Sequence, residues 1–199
     1  MRLPRLAALL TALLLPAAAF AHEANSLPFG SFMSGLVHPV LGPDHFLAMV
    51  SVGVLSAQIG GRAIWTVPAT FVGVMSLGGL MGLMGVRFTA TEVGIAFSVL
   101  VLGLAIAADR KMPVALAMTA VGIFGMFHGY AHGAEMPVVA EPARYAAGFL
   151  TGTASLHILG VILGDISQHY ARGKVLLRVA GGAIAGIGTW FLAGTTVIG

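Results

Sequence analysis

VALAMTAVGIFGMFHGYAH, residues 114–132, runs for nineteen positions without an Asp, Glu, Lys or Arg. As a helix it would rise about 28 Å, close to the ~30 Å hydrocarbon core of a bilayer. A helix on a soluble protein shows a polar face, and this one shows none, so the stretch reads as a membrane span. It nevertheless carries His128 and His132, with Glu135 just beyond. An ionisable side chain at the centre of a span costs roughly 2.5–3.5 kcal/mol on insertion scales. Histidines kept there are candidates for function.

The rest of the chain has the same character. Of its 199 residues, 58% are hydrophobic and 9% charged, where soluble proteins average about 25% charged. The mean hydropathy is +0.97. Such a chain cannot cover itself with a polar surface, and the fold expected is all-α, a polytopic membrane helical bundle with the lipid bilayer as its surroundings. The sequence contains no Cys, which excludes disulfides, thiolate metal sites and cysteine nucleophiles. The pI of 9.8 arises from ten Lys and Arg scattered singly or in pairs, a pattern set by membrane topology rather than by a nucleic-acid partner.

At the N-terminus, Arg2 and Arg5 precede the apolar run Leu6–Leu15, Pro16 breaks it, and Ala19-Phe20-Ala21 places small residues where a signal peptidase reads. Residues 1–21 are therefore expected to be a cleavable signal peptide and residues 22–199 one membrane domain, with the new N-terminus at His22 on the periplasmic or exterior side. About six spans of the ~20 residues a bilayer needs follow: Ser31–Ala57, Ile64–Val86, Thr91–Ala108, Val114–His132, Arg144–Leu163 and Val175–Ala193. On that count the inner connections hold Arg62, Arg110, Lys111, Arg172, Lys174 and Arg178, and the outer ones only Arg87 and Arg144. This obeys the positive-inside rule for a bacterial cytoplasmic membrane and puts both mature termini outside. Glycines recur at Gly78/Gly82, Gly125/Gly129/Gly133, Gly148/Gly152, Gly160/Gly164 and Gly182/Gly186, spacings that let helix backbones approach closely in lipid.

Two clusters carry the chemistry. In the first span, His38 and His45 lie two helical turns apart on one face, with Asp44 beside them and Pro39 and Pro43 removing backbone donors, so the helix should bend or unwind there. Broken helices are tolerated at membrane depth where they line a cavity. In the fourth span, His128, His132 and Glu135 share one helical stripe. If the first span runs inward and the fourth outward, both clusters fall in the outer leaflet, where they can meet. Imidazole with carboxylate is a ligand set for Ni²⁺ and Co²⁺; the competing reading makes these side chains ordinary interhelical hydrogen-bonders. The ten methionines read as packing rather than as a soft copper path.

The segment from His38 through Asp44-His45 to Leu47-Ala48-Met49 and Val52-Gly53 resembles the first signature of the HupE/UreJ family of nickel permeases. Phe127-His128-Gly129-Tyr130-Ala131-His132-Gly133-Ala134-Glu135 resembles the second. The resemblance extends over nearly the whole chain. It implies secondary uptake of Ni²⁺, or of Co²⁺ by the same mechanism, for metalloenzymes such as hydrogenase or urease, with His38, Asp44, His45, His128, His132 and Glu135 in the family's metal positions. His22, Glu92 and His157 are weaker candidates: capture at the new terminus, a carboxylate at the entrance, and a relay in the fifth span. Asp109, Asp165 and His169 read as solvated loop residues.

No G-x-x-x-x-G-K-[ST] loop is present, so neither ATP hydrolysis nor any nucleotide partner is expected. The membrane potential can serve instead, at about 2.3 kcal/mol per charge per 100 mV. No resident cofactor is expected, and a homo-oligomer is left open. The main alternative of another class is a membrane-embedded metal-dependent hydrolase, which would keep one coordination position for water. A third is a metal sensor or chaperone subunit that binds the ion without moving it.

Overall fold

A computed structural model describes residue 27 and residues 29–197. The signal-peptide region, His22 and Glu23 lie outside them. The described residues form seven helices and no strand: α1 (Gly30–Leu41), α2 (Pro43–Ile59), α3 (Ala63–Leu83), α4 (Thr91–Ala108), α5 (Val114–Ala134), α6 (Pro142–Gln168) and α7 (Ala171–Val197). Only helices satisfy every backbone N–H and C=O within a single lipid-embedded segment. Helices α3 to α7 are each long and apolar enough to cross a membrane, and α1 with α2 qualifies only as a pair. The protein is a multi-pass membrane protein.

The first span is more than kinked. It divides into two helices that meet at 80°, hinged at Gly42, whose ψ of 111° is extended. Pro43 occupies the first turn of α2, where its missing N–H costs nothing. Asp44 follows in the same turn, favourably placed at the positive end of the helix dipole. At twelve residues, α1 is only about 18 Å long and cannot cross the bilayer alone. The expected two-turn stripe of His38 and His45 on one continuous helix is thus corrected, because Gly42 and Pro43 separate them.

Helix α2 is the hub, with Ala48, Met49 and every residue from Ser51 to Ser56 buried, and it contacts each of the other six helices. Around it, α3 packs on α5, α4 on α7, and α6 on both α1 and α2. Most of the expected glycine stripes make these contacts. A methyl group on Gly78 would collide with the Met126 carbonyl, on Gly129 with that of Met75, on Gly148 with that of Phe32, and on Gly160 with that of Val50. Gly182 and Gly186 depart from the pattern: nothing lies near either, and α7 meets α4 through Gly181 and Gly188 instead. The outward faces carry large apolar side chains such as Trp65, Leu104, Ile123, Ile158 and Trp190, a surface suited to lipid.

Candidate metal site

The 80° break turns the end of α1 and the beginning of α2 toward the last turns of α5. Four imidazoles meet there. The His132 ring centre lies 4.7 Å from that of His38 and 4.3 Å from that of His45, and His45 is 4.9 Å from His128. His45, His128 and His132 are buried. The rings contact edge to face, at interplanar angles of 64–88°. Among the described residues, no three His, Asp or Glu side chains are arranged in this conformation to hold one ion.

Hydrogen bonds nevertheless set the tautomers of two rings. Asp44 Oδ1 accepts from the His45 backbone N–H at 2.8 Å and from the His45 ring Nδ1–H at 2.7 Å, which leaves the lone pair on the buried, unpartnered Nε2. Ser98 donates its hydroxyl to the Ile95 carbonyl at 2.7 Å. The same oxygen lies 3.0 Å from His128 Nε2 and so accepts Nε2–H, leaving the lone pair on the unpartnered Nδ1. A second partner that fixes tautomer and ring orientation is the usual device behind a metal-ligating histidine. Both ring nitrogens of His132 are buried without partners. The Tyr145 hydroxyl is 3.0 Å from His38 Nδ1, and the Phe149 ring packs 4.1 Å from that of His132.

The remaining sequence candidates lie outside the ring cluster. Glu135 is the C-cap of α5 and is exposed at the rim. Loss of surrounding water and, after it, the Glu92 carboxylate push its carboxyl above the usual glutamate range. Glu92, in the first turn of α4, lines a cleft of about 500 Å³ together with Asp44. A separate, mainly apolar groove of about 240 Å³ reaches His132 and Tyr145 between α3, α5 and α6. His157 is buried in α6 against Phe71, outside the four-ring cluster.

Sequence reading missed Ser98, Tyr145, Phe149 and Phe71. Ser98 alone had a signal, as a hydroxyl within the otherwise apolar run of α4. Asp109, read as solvated, instead accepts from Gln58 Nε2 at 3.1 Å and Gln168 Nε2 at 3.3 Å at the opposite end of the bundle.

Comparison with known proteins gives two matches. The model of the family described as HupE / UreJ protein matches residues 10–191. Protein HupE of Rhizobium leguminosarum bv. viciae is 42% identical over 194 residues, which cover 98% of this chain and 100% of that one. No solved structure matches.

Proposed function

Since the chain belongs to the HupE/UreJ protein family, we propose that it takes up Ni²⁺ by secondary transport across the bacterial cytoplasmic membrane, supplying metalloenzyme maturation of the hydrogenase or urease kind. The family is a membrane family related to nickel and cobalt transport, of transporter type rather than enzymatic. The observation that carries the finer reading is the meeting of four imidazoles from α1, α2 and α5, three of which, His45, His128 and His132, have buried ring nitrogens left unpartnered. Unsatisfied polar atoms are expensive in an apolar interior, and a guest that accepts their lone pairs removes the expense.

In this mechanism Asp44, Glu92 and Glu135 draw the hydrated cation to the rim. His45 Nε2 and His128 Nδ1 then replace water, with His132 and His38 turning from their edge-on packing to complete the set. Asp44 supplies negative charge and holds the His45 tautomer. Mixed nitrogen and oxygen ligation suits Ni²⁺ and Co²⁺, whereas Mg²⁺ dehydrates reluctantly and prefers oxygen alone. The hinge at Gly42 lets the site change shape as the ion leaves inward. With both mature termini outside, a divalent ion crossing a 100 mV inside-negative potential gains about 4.6 kcal/mol, so no nucleotide is required.

The test is radioactive nickel uptake into proteoliposomes of defined orientation. Accumulation should proceed without ATP, rise with an imposed inside-negative potential, fall when cobalt competes, and ignore a large excess of magnesium. Obligatory ATP with no response to potential would overturn the mechanism. Stronger uptake of cobalt than of nickel would keep the mechanism and reassign the cargo.

A further inference from the structure

We propose a second, weaker stop for the ion at His157 and Thr153, beyond the four-ring cluster and separated from it by the Phe71 side chain. The inference rests on the uptake reading above. His157 is 2% exposed and both its ring nitrogens lack partners. A neutral imidazole has one donor and one acceptor, so either tautomer leaves both unmet here, which a residue serving only to fill space would avoid. Thr153 lies one turn earlier on the same face of α6 and is fully buried.

The Thr153 hydroxyl is the more telling observation. Most hydroxyls elsewhere in these helices return to a carbonyl three or four residues back, as Thr70, Ser76, Ser98, Thr119, Thr151, Ser155 and Thr189 do, with buried Ser51 a further exception. Thr153 Oγ1 makes no such bond and no other. Its lone pairs are therefore available beside those of His157. Phe71, wholly buried, packs 5.6 Å from the His128 ring and 5.2 Å edge-on from the His157 ring. One aromatic side chain thus separates the two histidines, and a change in its rotamer opens the way between them.

The chemistry favours a brief stay. One imidazole and one hydroxyl form a nitrogen and oxygen set without a carboxylate, so a divalent ion is ligated but not neutralised. Conduction through successive sites needs binding weak enough to release the ion onward. Past His157 the α2 and α6 backbones close together, Gly53 against the His157 carbonyl and Gly160 against that of Val50, so onward release requires these two helices to part.

The experiment uses the full chain. In proteoliposomes, His157→Ala should lower the maximal rate of nickel uptake by an order of magnitude and leave the half-saturating concentration unchanged. Thr153→Val should lower it less, and equilibrium nickel binding to the purified variants should match the wild type. Because the protein has no cysteine, His157→Cys adds a single thiol, and nickel should then give a thiolate-to-metal charge-transfer band. Wild-type rates in His157→Ala overturn the proposal, as does recovery in His157→Leu, which would mark a packing role. Absence of the band in a folded, nickel-binding His157→Cys protein also overturns it. If wild-type protein accumulates no nickel, the uptake reading fails, while the band still reports on His157 independently.

Discussion

The two ends of the bundle treat polar atoms differently. At the α1/α2 break, His45, His128 and His132 are buried with ring nitrogens that have no partner. At the other end, Asp109 is tied to both Gln58 and Gln168, Gln58 also reaches the Ile106 carbonyl at 3.2 Å, and Arg178 Nε donates to the Ala107 carbonyl at 3.1 Å. These bonds hold helices together, here α2, α4, α6 and α7, although Gln58 Oε1 itself has no partner. The clustered, unpartnered imidazole nitrogens at the opposite end are the feature on which the uptake proposal rests. Asp109 also adopts a left-handed conformation, φ 48°, which short polar residues tolerate and which ends α4 where the two glutamines can reach it.

The contrast breaks most decisively through function. His45→Ala and His132→Ala should each abolish nickel uptake while membrane insertion and detergent-solubilised monodispersity persist. Equal loss of uptake from Asp109→Ala would erase the distinction between the ends. Gly133→Val tests the scaffold behind the histidines, because a side chain there strikes the Gly79 carbonyl. It should lower the thermal aggregation temperature strongly, whereas Gly182→Val, in open space, should leave it nearly unchanged.

Ser98→Ala sharpens the comparison from the histidine side. It frees the His128 tautomer without touching a proposed ligand and should weaken nickel binding roughly tenfold, in the range known for residues that orient metal-ligating histidines. Ser98→Thr should restore it. The smallest effect on nickel handling is expected from Asp109→Leu, which removes two amide hydrogen bonds. A cost of about 1 kcal/mol per bond should appear as earlier thermal unfolding with an unaltered half-saturating nickel concentration.

Much of this was legible in the sequence, for a physical reason. Lipid removes the choice between helix and strand, so apolar run lengths alone located the spans, and α4 was read to the residue as Thr91–Ala108. The meeting of the His38/His45 and His128/His132 pairs followed from counting crossings. The depth of the break did not, since Pro and Gly announce a bend without its angle. Gly182 and Gly186 show the limit of spacing rules, because the pattern is identical whether a helix or lipid lies opposite. Ser98, Tyr145 and Phe71 left no periodic trace, being single residues whose role depends on which helix is adjacent.

The placement of the rings near one end also divides the electrical work of the proposed transport. His128 lies six residues from the end of α5, about 9 Å along its axis, and the other rings lie nearer the rim. An ion held among them, approaching from that side, has crossed only a minor share of the membrane's electrical distance. With about 9 of ~30 Å crossed at most, a divalent ion at the cluster feels no more than about 1.4 kcal/mol of a 100 mV potential, so the half-saturating concentration should shift by at most about tenfold as that potential is imposed. The larger part of the field acts on the passage from His128 to the Asp109 end, so voltage should act chiefly on the turnover rate.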